Sequence, residues 1–131
     1  MSGYLIDASV FIAVEQGRAL GPQPEGDARL SVATLTELLV GVRRAADEPT
    51  REWRQRTASG LNSFIPVPFD ENVAVRLAEL LATARDQGRR AGAMDAIVAA
   101  TALTHDLAVW TQDADFDVLA ELAPDLRVVR G

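Results

Sequence analysis

The 131 residues contain neither cysteine nor lysine, and only one histidine. Without cysteine there is no disulfide framework, thiolate metal site or cysteine nucleophile. Any bound metal must therefore be held through oxygen, and the composition agrees with a reducing, cytoplasmic location. The absence of lysine argues against a phosphoacceptor signalling domain, which needs that residue beside its phosphorylated aspartate. It argues equally against aspartate-nucleophile phosphatases, which use a lysine and usually a second aspartate two residues after the first, where this chain has Ser9. The lone histidine, His105, falls at the far end of an alanine-rich segment, which assigns it a structural or solvent role rather than that of a general base. No basic segment precedes a long apolar run, and no stretch approaches the ~20 apolar residues of a membrane span. Neither a leader nor a membrane anchor is expected.

What is present is the make-up of an ordinary globular protein, 48% hydrophobic and 24% charged, at a length that suits one domain over residues 1–131. The net charge of −6 argues at first against a nucleic-acid partner. Its distribution matters more than its sum. With Asp7, Glu37, Asp95, Asp113 and Asp115 set aside, fourteen acids remain against thirteen arginines, and divalent cations would offset much of the clustered charge. Arg43, Arg44, Arg51, Arg54 and Arg56 share one neighbourhood, and Arg85, Arg89 and Arg90 another. Guanidinium groups suit phosphate recognition, although such clusters are also the ordinary solvated faces of helices.

Short β-rich runs alternate with longer helical patterns, the mark of an α/β domain on a mainly parallel sheet. Strands are expected at Tyr4–Ile6, around Leu30–Val32, at Phe64–Val67, Leu107–Trp110 and Leu126–Val129. Pro66 confines the third to an edge or a short run. Helices are expected at Val10–Gln16, through Leu35, Leu38, Leu39 and Val42 to about Ala46, and at Arg51–Leu61, Glu71–Gln87, Asp95–Thr104 and Phe116–Leu122. Asp70 is a suitable N-cap and Gly88 a stop, while Gly17–Asp27 reads as loop. The alanines of the Asp95 helix (Ala96, Ala99, Ala100 and Ala102) suit close packing in the interior.

In open parallel sheets ligands bind beyond the carboxyl ends of the strands, and four acids fall there. Asp7 closes the first strand, and Glu37 is placed in the first turn of the helix after the second. Asp95 opens the alanine-rich helix, and Asp113 follows the fourth strand by three residues. Each has a plainer reading. Thr34 and Glu37 fit a capping box, and Asp95 and Asp113 could complement helix dipoles. Capping does not explain why all four should converge. Carboxylates so close repel one another unless a cation compensates, and hard oxygen ligands suit Mg²⁺ or Mn²⁺.

The segments Leu5-Ile6-Asp7-Ala8-Ser9, Thr36-Glu37-Leu38-Leu39-Val40-Gly41, Asp95 to Ala102 and Trp110-Thr111-Gln112-Asp113-Ala114-Asp115-Phe116 resemble, in order, the four sequence blocks of PIN domains. The resemblance spans nearly the whole chain. It implies a five-stranded parallel sheet sandwiched by helices, and Mg²⁺- or Mn²⁺-dependent endoribonuclease chemistry. Asp7, Glu37 and Asp95 would be the acidic triad and Asp113 the usual fourth acid. Ser9 and Thr111 match small hydroxyl positions that orient carboxylates or water, and Asp115 is a further candidate beside them. Among PIN proteins, compact chains of this length resemble VapC toxins. That likeness implies a VapB-like antitoxin as partner, RNA as substrate and a homodimer. The alternatives are a PIN nuclease that processes RNA without an antitoxin, and a silent binding module on the same scaffold. Trp110 is expected in the core, and Trp53, among arginines, is the better candidate of the two tryptophans for a contact with antitoxin or RNA.

Overall fold

A computed structural model describes residues 3–131. Five strands form one sheet, β1 (Gly3–Ile6), β2 (Asp27–Ser31), β3 (Ile65–Val67), β4 (Ala108–Thr111) and β5 (Val128–Arg130), in the order β3-β2-β1-β4-β5. All four pairings are parallel. The chain starts in the middle of the sheet, walks to the β3 edge, then crosses to the other side of β1. Connections from β1 and β4 therefore part at their carboxyl ends, where a crevice opens. Pro66, which cannot donate to a ladder, lies on an edge strand as expected.

Six α-helices cover the sheet: α1 (Ala8–Glu15), α2 (Val32–Arg43), α3 (Glu48–Gly60), α4 (Glu71–Asp86), α5 (Ala93–His105) and α6 (Asp115–Leu122). Side chains of a strand alternate between faces, and β1 divides the core accordingly. Leu5 packs with Val109, Leu80, Phe116 and the α5 residues Ala96, Val98, Ala99 and Ala102. Tyr4 and Ile6 face the other way with Val10 and Trp110, beside a cluster of Ala8, Leu30, Leu38 and Leu61. Trp110 is thus in the core, as its strand position implied. Alanines let α5 lie close against the sheet: Ala96, Ala99, Ala100 and Ala102 have no exposed surface. No helix among the described residues is long and apolar enough to cross a membrane.

Several expectations are corrected. Helix α2 begins at Val32, capped by Ser31, whose Oγ accepts from Ala33 N at 3.1 Å. No capping box forms between Thr34 and Glu37. Glu37 lies beyond the first turn, and the buried Thr34 hydroxyl donates across to Ile6 O at 3.1 Å. The reason is that β2 already runs along β1 from Asp27 and ends at Ser31, so the helix starts as soon as the strand stops. The starts of α1 and α3 likewise precede their expected positions, because Asp7 and Asp47 serve as N-caps. Asp70 caps α4 through Val73 N. Gly88, at φ +66°, follows the end of that helix in the left-handed conformation that glycine adopts without penalty.

Candidate active site

Asp7 is the first residue after β1 and the N-cap of α1. It is 3% exposed, and such burial of a carboxylate requires partners. Its Oδ2 accepts the Ser9 hydroxyl at 2.6 Å, the Thr111 hydroxyl at 2.8 Å and the Ser9 amide at 3.3 Å. Ser9 Oγ accepts in turn from Gln112 N at 2.9 Å, and Thr111 Oγ1 from Asp113 N at 2.9 Å. The two hydroxyl oxygens also lie 3.1 Å apart, so Ser9, Thr111 and Asp7 form one hydrogen-bonded group. The carboxylate is held by groups more than a hundred residues apart in sequence, which ties the end of β1 to the end of β4. Gln112, which the sequence reading missed, also anchors the 17–26 loop by donating from Nε2 to Ala19 O at 3.0 Å. Nothing in its sequence context distinguishes it.

Carboxylate oxygens of Asp7, Glu37 and Asp95 lie within 4.8 Å of one another, and so do those of Asp95, Asp113 and Asp115. The two trios share Asp95. All four acids singled out in the sequence therefore converge, and Asp115 joins them. Capping and clustering coexist: Asp113 Oδ1 accepts from Asp115 N at 2.9 Å near the start of α6, and Asp95 lies in the first turn of α5. His105 is exposed at the opposite end of α5, away from the acids.

The crowding has an electrostatic signature. Burial, then the charges of Asp7, Asp95 and Asp113, push the Glu37 carboxyl up to about 7. Burial, then Asp7, Asp113 and Asp115, raise Asp95 to about 6. Glu37 Oε1 is buried with no hydrogen-bond partner among the described residues, which is costly unless something satisfies it. A hard divalent cation answers both observations, since it neutralises the repulsion and occupies the orphaned oxygen. The oxygen-only donor set fits such an ion.

Residues 4–122 match the PIN domain. The chain belongs to the PIN domain family. Among its relatives, this PIN domain is 36% identical over 127 residues to Ribonuclease VapC5 of Mycobacterium tuberculosis, covering 96% of this chain and 93% of that one. Ribonuclease VapC8 of the same organism is 42% identical over 100 residues, covering 75% and 88%. Among solved structures, the PIN fold superposes with a TM-score of 0.83 on a member of the VapBC family of toxin–antitoxin systems, VapBC-5 from Mycobacterium tuberculosis. That match is 34% identical and covers 99% of this chain and 98% of the other.

Proposed function

We infer that this PIN domain is a metal-dependent endoribonuclease that hydrolyses RNA phosphodiesters with Mg²⁺ or Mn²⁺, and that it is the toxin of a VapBC-type pair. The observation that carries the reading is the meeting of Asp7, Glu37 and Asp95 oxygens within 4.8 Å at the point where the sheet order reverses. Asp7 and Asp95 would hold the ion directly, with Glu37 and Asp113 in support and Asp115 beside them. When bound, a divalent cation supplies Lewis acidity toward a phosphoryl oxygen and acidifies water.

The protein's own residues do the rest. Ser9 and Thr111 both donate to Asp7 Oδ2, which fixes the carboxylate plane and leaves Oδ1 without a hydrogen bond among the described residues. Both hydroxyl oxygens also accept a backbone amide, Gln112 N on Ser9 and Asp113 N on Thr111, so they are held as positioning groups at the strand ends. Attack by water, without a covalent intermediate, is the chemistry this arrangement suits. The first turn of α5 presents Asp95 where the helix dipole favours a negative charge.

The relatives named as VapC ribonucleases, and a solved structure from a toxin–antitoxin family, support a VapB-like antitoxin as partner over a stand-alone RNA-processing role. A homodimer belongs to the same reading, and light scattering on the purified protein tests it. The decisive experiment on activity is cleavage of RNA by purified protein with Mg²⁺ or Mn²⁺. Asp7→Asn and Asp95→Asn should each abolish it with the circular dichroism spectrum unchanged. Retained cleavage by Asp7→Asn protein would sink the assignment.

A further inference from the structure

A groove leaves the acidic site between α1, α2 and α3. Its inner part is a cavity of about 170 Å³ lined by Ile12, Glu15, Glu37, Gly41 and Arg54 among others. An outer cavity of about 430 Å³ shares Glu15 and Arg54 and extends to Trp53. One end of the groove is thus a site acid and the other an exposed tryptophan.

Several features of this groove are not accounted for by packing within the chain. Glu15 Oε1 is buried without a partner, although Arg54 lines the same cavity. Arg54 itself makes no ion pair among the described residues, and its guanidinium is held on the wall by donating to Gly41 O at 2.7 Å. Gly41 lies within α2, where glycine is a poor choice, yet a Cβ there would meet only Arg54 Cδ at 3.8 Å. Packing within the chain therefore does not require glycine, whereas close approach by a ligand would. Trp53 is 50% exposed, with Arg56 over its ring at 5.3 Å. Arg43 and Arg44 stand exposed at the end of α2.

We propose that this groove is the track for single-stranded RNA beside the scissile phosphate, with one base in the inner cavity against Gly41 and Glu15 and a further base stacked on Trp53. The proposal rests on the ribonuclease reading. Charge and shape at the outer end select the occupant: in a chain of net charge −6, Arg54 lines the groove without an ion-pair partner among the described residues and Arg56 stands over Trp53, and a flat aromatic beside arginines is the usual platform for unstacked bases. The orphaned Glu15 oxygen accepts a hydrogen bond, so the inner cavity would take a base that turns a ring N–H or exocyclic amino donor toward it.

The test uses full-length protein in two arms. Binding of a labelled single-stranded RNA pool is followed by fluorescence anisotropy on the Asp7→Asn background, and cleavage of a pool randomised on both sides of the scissile bond is sequenced with Asp7 intact. Trp53→Ala should weaken RNA binding about tenfold. Gly41→Leu should weaken it with no fall in Tm, and Glu15→Gln, which adds an amide donor beside the acceptor, should change the base distribution at one position relative to the parent. Unchanged binding in both Trp53→Ala and Gly41→Leu overturns the track. Unchanged base preference in Glu15→Gln overturns the assigned base reader and indicates that Glu15 merely pairs with Arg54. If these substitutions weaken only the complex with an antitoxin, the groove belongs to that protein and the RNA assignment falls. Failure of the parent to cleave any RNA would instead count against the ribonuclease reading, while the anisotropy arm still decides the groove.

Discussion

Asp7 is the most tightly specified side chain of the site, because every donor that reaches it lands on one oxygen. Groups that orient a metal ligand typically contribute about 10- to 100-fold in metal affinity or activity. Ser9→Ala and Thr111→Val should therefore each raise the Mg²⁺ concentration needed for half-maximal cleavage by about that factor, with much of the rate recovered at saturating metal. A metal titration that superposes on the parent's would show that these hydroxyls only tie β1 to β4. Asp113→Asn is expected to be milder than Asp7→Asn, since an amide oxygen can still accept the Asp115 amide; a comparison of initial rates decides. At this scale the sequence was informative where a polar residue directly follows an apolar strand, as Asp7 shows, whereas Thr111 was found through the PIN resemblance. Glu37 was found with a mistaken placement in the first turn of its helix, and its plainer reading as half of a capping box fails because the Thr34 hydroxyl goes to Ile6 O instead. Glu15 and Gln112 were not legible, since their roles depend on neighbours brought together by the fold.

Elements were readable wherever burial imposed a period. The stripe Val73, Leu80 and Ala84 is buried in α4, and the buried run of β1 is continuous because both its faces are covered. Boundaries were less legible. Strand β2 opens with the exposed Asp27, which carries no strand propensity and is enrolled by pairing with Gly3. Helix α5 matters most to the site because it carries Asp95 at one end and packs alanines against the sheet along its length. Ala99→Leu should overpack that contact and destabilise the fold by about 1–3 kcal/mol, as measured by urea denaturation. It should also lower activity by displacing Asp95. A neutral result would mean that the α5 contact has slack that the close packing of Ala99 does not suggest.

For the molecule as a whole, the site is a source of instability until its charge is balanced. Glu37 and Asp95 titrate at about 7 and 6 in the folded chain, above their ordinary values of 4.5 and 3.8. Between those limits the folded state holds more protons than the unfolded one, so stability falls as pH rises. The stabilising contribution is complete below about pH 4 and is lost by about pH 7 to 8. Metal-free protein should therefore show a Tm that declines from pH 5 to pH 8 in calorimetry. Glu37→Gln should flatten the decline, and millimolar Mn²⁺ should raise Tm more at pH 8 than at pH 5. A metal-free Tm that rises across this range would contradict the linkage. The joining of Ser9 and Thr111 at Asp7 has a further consequence in time. Pairing of β1 with β4 closes a loop of about a hundred residues, the slow kind of contact in folding. During synthesis, at about 5–20 residues per second, Asp7 leaves the ribosome many seconds before Thr111 and Asp113. A nascent chain would thus be harmless to RNA around it until Thr111 and Asp113 had emerged, which leaves an interval in which an inhibitor could already be waiting.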